Sequence, residues 1–376
     1  MINSDLKRSY LQYAKHIKMG HIKPNLTQNL ILSFLFFIIA VSSLVLAPFY
    51  YRHKNSQRTN AIINAAKTEP LQNIVNTLQE GYILPSIVTN KYTLPILPYF
   101  FYVDILKNFS FYRNKLPFLG ALSIKVLQYY STYYHHHLDR IIVFQEYSFY
   151  MSYLTYLIEH DGGKVINIMH GIPGKEAAYF RFSRAHVWGD FFKNFYINNH
   201  ADKNQFIISG SIYHKILQEQ SITTSTYDIV YFMQGEKYIE PDELSDVLNV
   251  LSHLSKIYRV ALKQHPLYPV YNTNGLTTIE DYSTIEVLHM TSIILSHFST
   301  TLLDAKVMSK HTFAYSKVNR GNLLSFLSEH EIISTKTELQ HSLIKAIQSP
   351  LKASSLSANF MNLSADTLSL LKYDLS

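Results

Sequence analysis

From residue 140 onward, short uninterrupted apolar runs alternate with helix-like stretches, and that alternation admits few folds. Residues 141–144, 164–169, 185–188 and 205–209 read as buried strands, with helices expected over 148–159 and 191–199. A polar, Ser/Thr-rich link at 218–226 leads to a second series. Its strands are expected at 229–233, 259–262, 278–279, 292–295 and 312–315, its helices at 241–257 and 301–308, with further helices from 323 onward. Strands that lack polar alternation are covered on both faces, which calls for parallel sheets layered between helices. A chain of 376 residues holds about two ordinary domains. The spacing therefore predicts an α/β fold of two lobes with a ligand in the cleft between them. The expected divisions are an N-terminal segment, 1–55, a first lobe, 56–217, and a second lobe with the C-terminal helices, 218–376.

The N-terminal segment is set apart by its hydropathy. No residue from 30 to 51 is charged, and about 20 apolar residues suffice to cross a bilayer as a helix. Twenty-nine residues precede the run, unlike a cleaved signal peptide. Basic residues flank it on both sides, so they do not orient it. Membrane contact and a buried first core element both remain open. Between 55 and 135 the pattern is mixed: a polar helix-like stretch at 59–79, then aromatic runs at 99–102 and 129–137 that suit a lid or interface. His135, His136 and His137 are consecutive, so their side chains diverge and no metal site is expected there.

Composition narrows the chemistry. With no cysteine, the chain has no zinc ribbon, iron–sulfur cluster, thiol nucleophile or disulfide. The net charge of +7 is dispersed, which suits a phosphate-bearing ligand or an anionic membrane rather than nucleic acid. No GxGxxG or P-loop sequence follows any expected strand.

Three short constellations carry the chemistry. His170 and Gly171 follow the 164–169 strand, and ligands gather beyond the carboxyl ends of parallel strands. A neutral imidazole there can take a proton from a hydroxyl near pH 7. Lys263, Gln264, His265 and Pro266 follow another strand, and Pro266 holds His265 in extended backbone. Lys263 and His265 could then neutralise a phosphate. Ser299, Thr300 and Thr301 stand where a helix begins, a setting suited to phosphate. Asp304, about one turn on, could accept ribose hydroxyls. Each has a plain structural reading as well: a histidine in a turn, an ordinary His-Pro, an ordinary N-cap.

The order of these motifs resembles bacterial surface-polysaccharide transferases of the GT-B type, over roughly residues 140–320. His170-Gly171, Trp188-Gly189 and Ser209-Gly210-Ser211 are similar to the HG, WG and GS pattern of teichoic-acid glycerophosphotransferases. The HP and Ser-Ser/Thr motifs are shared with bacterial sialyltransferases and polysialyltransferases. The resemblance implies two Rossmann-like lobes, a cytidine-nucleotide donor, His265 as a phosphate contact and Ser299 and Thr300 as phosphate hydrogen-bonders. It implies either of two bases: His170 in the first pattern, or Asp161, an acidic residue before glycine, in the second. His170 is the favoured base.

The resulting expectation is inverting, single-displacement transfer with no metal and no cofactor. The donor would be a CMP-activated nonulosonic acid, and the acceptor a glycan or lipid-linked glycan of capsule or lipopolysaccharide at the cytoplasmic face of the inner membrane. The alternative is a CDP-polyol phosphotransferase. A sugar-nucleotide epimerase of similar architecture and a non-catalytic membrane scaffold are the remaining readings.

Overall fold

Parallel pairing organises the whole chain. The computed structural model describes residues 4–19, 22–23, 25–50, 59–63, 69–82, 86–87, 99–144, 148–173, 181–219, 225–234, 239–265, 273–318, 320, 324–349 and 356–375. These form two units: residues 1–213 with 361–376, and residues 214–360.

The first unit opens with helices α1 (Ser4–Lys18) and α2 (Leu26–Tyr50). Asn25 and Gln28 cap α2 reciprocally, Gln28 N–H to Asn25 Oδ1 at 2.7 Å and Asn25 N–H to Gln28 Oε1 at 3.2 Å. Strand β1 (Thr59–Ile63), helix α3 (Glu69–Tyr82), strand β2 (Ser86–Ile87) and helices α4 (Tyr99–Lys107), α5 (Phe109–Tyr112) and α6 (Leu116–His135) follow. The regular part comprises β3 (Leu138–Val143), α7 (Met151–His160), β4 (Lys164–Ile168), β5 (Arg184–Val187), α8 (Asp190–Asn198) and β6 (Phe206–Ile208), and α9 (Ile212–Glu219) begins just before the division and continues into the second unit. The sheet order is β2-β1-β3-β4-β5-β6, all parallel. Ala61, Ile62 and Ile63 of β1 and Ile141, Ile142 and Val143 of β3 are fully buried in succession. Such unbroken burial is what helices on both faces of a sheet impose.

The second unit is doubly wound. Its elements are β7 (Tyr227–Phe232), α10 (Pro241–Leu254), β8 (Val260–Lys263), β9 (Thr277–Thr278), α11 (Thr284–His289), β10 (Thr291–Ser296), α12 (Thr301–Val307), β11 (His311–Tyr315), β12 (Ile332–Ile333) and α13 (Lys336–Ile347). The order β12-β11-β10-β7-β8-β9 runs outward in both directions from β7 and β10. The switch point at the carboxyl ends of those two strands is where such folds bind ligands. Val247, Val250, Leu251 and Leu254 of α10 pack with Ile293 and Leu295 of β10 in this unit's core.

The last helix, α14 (Thr367–Leu375), returns to the first unit. Asp374 lies 2.9 Å from His186 Nε2 in a buried pair, Asn60 Nδ2 donates to the Leu375 carbonyl at 3.1 Å, and Thr367 Oγ1 donates to the Ser209 carbonyl.

Several expectations are corrected. The division falls after Tyr213 rather than 217, the C-terminal helix belongs to the first unit, and residues 4–50 belong to that unit as well. The helix-like stretch at 59–79 is a strand followed by a helix. Tyr129, Tyr130 and Tyr133 are not lid surface but buried on α6. In α2 side chains are described as far as Ser42; among the described residues no helix is long and apolar enough to cross a membrane.

Candidate active site

In the first unit three motif segments leave adjacent parallel strands at one edge. β4, β5 and β6 pair in sequence, Asn167 beside Ala185 and Val187 beside Ile208. His170, Trp188 and Ser209 therefore emerge at neighbouring strand ends, about 5 Å apart per strand. Trp188, 2% exposed, donates from Nε1 to the Met169 carbonyl at 3.0 Å, while Met169 N–H donates to the His186 carbonyl at 3.0 Å. The residue before His170 is thus pinned from both directions. His170 itself is half-buried, with its ring edge-on to Phe144 at 6.4 Å, and Phe144 directly follows the neighbouring β3.

The glycines of this edge differ. Gly210 has φ +72, and a Cβ there would lie 2.2 Å from the Asn362 carbonyl oxygen. Only glycine lets the returning C-terminal segment approach so closely. A Cβ on Gly171 would meet nothing within 4 Å. Gly174 and Lys175, further along this segment, lie outside the described residues.

Asp161 sits elsewhere. It is the C-cap of α7, with Gly162 N–H donating to Glu159 O at 3.0 Å and Gly163 N–H to Ile158 O at 2.9 Å. Gly162 has φ +83. This is a Schellman helix stop. Asp161 precedes β4 and His170 follows it, so the five-residue strand separates them by roughly 16 Å, at ~3.3 Å per residue. Asp161 lies at the amino edge of the sheet and cannot serve the site at the carboxyl edge. This placement speaks against its expected role as a base, because the acidic-residue-before-glycine pattern here ends a helix.

In the second unit the carboxyl edge gathers His265 and Ser299. β8 pairs with β7, and β7 with β10. Ser296 Oγ donates to the Phe232 carbonyl at 2.7 Å, tying the two strands that form the switch point. His265 follows β8 and is half-buried; burial pushes its imidazole below the ordinary value of 6.5, favouring the neutral ring. Pro266 lies outside the described residues. Lys263 Nζ donates to the Glu280 and Tyr282 carbonyls, so its ammonium holds the chain beyond β9.

The hydroxyl cluster is partly self-engaged. Ser299 Oγ accepts the Thr301 N–H at 3.1 Å and donates to Thr301 Oγ1 at 3.0 Å. Thr300 has helical backbone and makes no side-chain cap bond. Asp304 departs from expectation. It is 5% exposed, and its Oδ1 lies 2.9 Å from His214 Nε2. A carboxylate already paired in the interior is not presented to a ribose.

A buried network beside this edge escaped the sequence reading. Glu243 of α10, fully buried, accepts the Lys317 N–H at 2.6 Å and Arg320 Nη2 at 2.8 Å. His297, also fully buried, lies 2.7 Å through Nδ1 from the Tyr315 carbonyl, and Nδ1 is 3.9 Å from Glu243. Burial pushes the His297 imidazole down to about 4, against the opposing pull of its bond to Tyr315 and of Glu243. The Arg320 guanidinium lies over the Phe298 ring at 4.7 Å. The signal was present: Glu243, Val247, Val250 and Leu254 share one helical face, which places a carboxylate on an apolar stripe. Among the described residues no group of three His, Asp or Glu side chains could hold a metal ion.

Two parallel sheets, the second wound outward from a central pair, define a two-unit α/β fold of the GT-B type. No family model matches the chain, and no curated protein matches it in sequence. Solved structures do resemble it. The UDP-GlcNAc 2-epimerase of Neisseria meningitidis aligns with TM-score 0.57 at 12% identity, over 85% of this chain and all of that one. The UDP-GlcNAc 2-epimerase of Methanocaldococcus jannaschii aligns with 0.55 at 10%, over 84% and 100%. The wall teichoic acid polymerase TagF aligns with 0.51 at 11%, over 100% of this chain and 97% of that one. At these identities the likeness establishes the fold.

Proposed function

We propose that this chain is a cytidine-nucleotide-dependent transferase that moves a polyol phosphate onto a hydroxyl acceptor, with His170 as the general base. The observation that carries this reading is the placement of the two candidate bases. His170 stands at the carboxyl edge of its sheet beside the Trp188 and Ser209-Gly210 segments, whereas Asp161 caps a helix at the opposite edge. His170 belongs to the glycerophosphotransferase-like pattern and Asp161 to the sialyltransferase-like one, so the edges favour the former. The fold likeness to TagF, which spans nearly the full length of both chains, agrees with it.

In the reaction, the acceptor oxygen attacks the β-phosphorus of a CDP-polyol and its proton passes to the neutral imidazole of His170. The phosphoanhydride bond breaks, CMP leaves with the bonding electron pair, and a phosphodiester remains. Donors aimed at a phosphate count most where negative charge grows. On the second unit that task is assigned to His265 and Thr300, with Ser299 sharing its hydroxyl between the helix and the ligand. Lys263 and Asp304 hold the framework instead.

CMP-nonulosonate transfer is the second reading, favoured by His265 and Ser299 sharing one sheet edge as the HP and Ser-Ser/Thr motifs require. There the reactive atom is the sugar's anomeric carbon and the C–O bond breaks. Incubation of the full chain with a hydroxyl acceptor and either CDP-glycerol or CMP-sialic acid separates the readings. Acceptor-dependent CMP release and phosphodiester formation from CDP-glycerol are expected. Turnover of CMP-sialic acid alone would overturn the first reading in favour of the second, and conversion of UDP-GlcNAc without an acceptor would replace both with an epimerase.

A further inference from the structure

The buried network of the second unit ends directly behind the hydroxyls assigned to the donor phosphate. Glu243 gives both carboxylate oxygens to one segment after β11: Oε1 accepts the Lys317 N–H at 2.6 Å and Oε2 accepts Arg320 Nη2 at 2.8 Å. Arg320 Nε donates to Ser316 Oγ at 3.1 Å, and that hydroxyl donates to the Val318 carbonyl at 2.9 Å. The start of the segment is thus folded on itself and fixed to α10. The guanidinium is used by its face as well as its edge, since it lies over the ring of Phe298 at 4.7 Å.

Phe298 immediately precedes Ser299. His297, one residue earlier, is held too: Nδ1 lies 2.7 Å from the Tyr315 carbonyl, and its ring stands edge-on to Tyr231 at 5.7 Å and to Tyr315 at 6.1 Å. The chain therefore enters the Ser299–Thr300 turn with two successive side chains anchored. Stability alone is a poor reason for this arrangement. The Glu243 side chain is fully buried and that of Arg320 is 17% exposed. Desolvating such a pair costs about what its attraction returns, and apolar residues of similar volume often serve as well. What the forked guanidinium adds is direction, which neither a lysine nor an apolar side chain supplies.

We infer that Arg320, held by Glu243, is a positioning residue for the donor phosphate: through Phe298 it keeps Ser299 and Thr300 turned so that their hydroxyls meet that phosphate. Nε and Nη2 are already engaged with Ser316 and Glu243, so the effect passes through the ring. The inference rests on the transfer reading only in placing a cytidine nucleotide at this edge, which polyol-phosphate and nonulosonate transfer share.

The test is calorimetric titration of the full chain with CMP, paired with urea unfolding of each variant. Arg320→Lys keeps the charge opposite Glu243 and loses the fork; it is expected to weaken CMP binding about tenfold. Glu243→Gln combined with Arg320→Met removes both charges and keeps an acceptor for the Lys317 N–H. It is expected to unfold near the parent midpoint yet bind CMP about tenfold more weakly. The decisive background is Ser299→Ala with Thr300→Val, which itself weakens CMP binding; there Arg320→Lys is expected to change affinity less than about twofold, because the hydroxyls it orients are gone. A full tenfold effect of Arg320→Lys in that background would overturn the inference and leave the transfer reading standing. So would parent-like affinity in the charge-free pair or in the chain lacking both hydroxyls. A parent chain that binds neither CMP nor CDP-glycerol would overturn the transfer reading itself, and this inference with it.

Discussion

The carboxyl edges of the two sheets spend their motif residues differently. In the first unit, Trp188 and Gly210 are consumed by architecture: one pins Met169, and the other admits the returning C-terminal segment. The histidine they frame is left half-buried at the strand end. In the second unit the polar residues themselves are engaged, Asp304 with His214 in the interior, Lys263 with two carbonyls nearer the surface, and Ser299 with Thr301. Side chains of the motifs therefore divide into those that build an edge and those that stand half-buried at a strand end. Burial and hydrogen-bond partners make the division; residue type alone does not.

The comparison can be broken most severely at Gly210. Gly210→Ala adds a Cβ into a backbone oxygen at positive φ and is expected to cost about 3 kcal/mol or more. Urea unfolding that shows no loss would remove its architectural role. His297 gives an effect of similar size through pH. Its folded value of about 4 lies below the ordinary 6.5, so the imidazole is neutral in both states above 6.5. Between 6.5 and 4 the unfolded chain takes up a proton that the folded chain refuses, and stability falls as pH falls through that window, by on the order of 3 kcal/mol in all. Unfolding midpoints measured across the window should flatten in His297→Asn.

Asp304 sharpens the contrast next. Asp304→Ala strands His214 and is expected to lower stability by roughly 1–3 kcal/mol, with the donor KM unchanged in the protein that remains folded. A raised KM at unaltered stability would restore the ribose role. The smallest effect belongs to Gly171→Ala, which meets open space and is expected to fall within about 0.5 kcal/mol of the parent.

Much of the fold was legible because parallel strands buried on both faces are written as short apolar runs: β3 to β8 and β10 to β11 fall within a few residues of expectation. β1 was missed because Thr59 and Asn60 open it with polar residues and only Ala61 to Ile63 are fully buried. The tyrosines of α6 read as surface because a phenol carries a hydroxyl, yet the ring is large enough to fill a core. The return of α14 to the first unit depends on His186 meeting Asp374, 188 residues away, and no local pattern encodes that. Of the candidate site, His170 and His265 stand after strands as their sequence positions led one to expect. At Asp161 a helix stop and an acidic motif share the same letters, and only the sheet's direction separates them.

Side-by-side turnover of His170→Ala and Asp161→Asn, with CDP-glycerol and a soluble acceptor, tests the central claim most directly. The account predicts a loss of about 10²–10⁴ in kcat for His170→Ala, unfolding unchanged, and less than about a twofold change for Asp161→Asn, which lies at the other edge. Collapse of activity in Asp161→Asn with His170→Ala near the parent would contradict it.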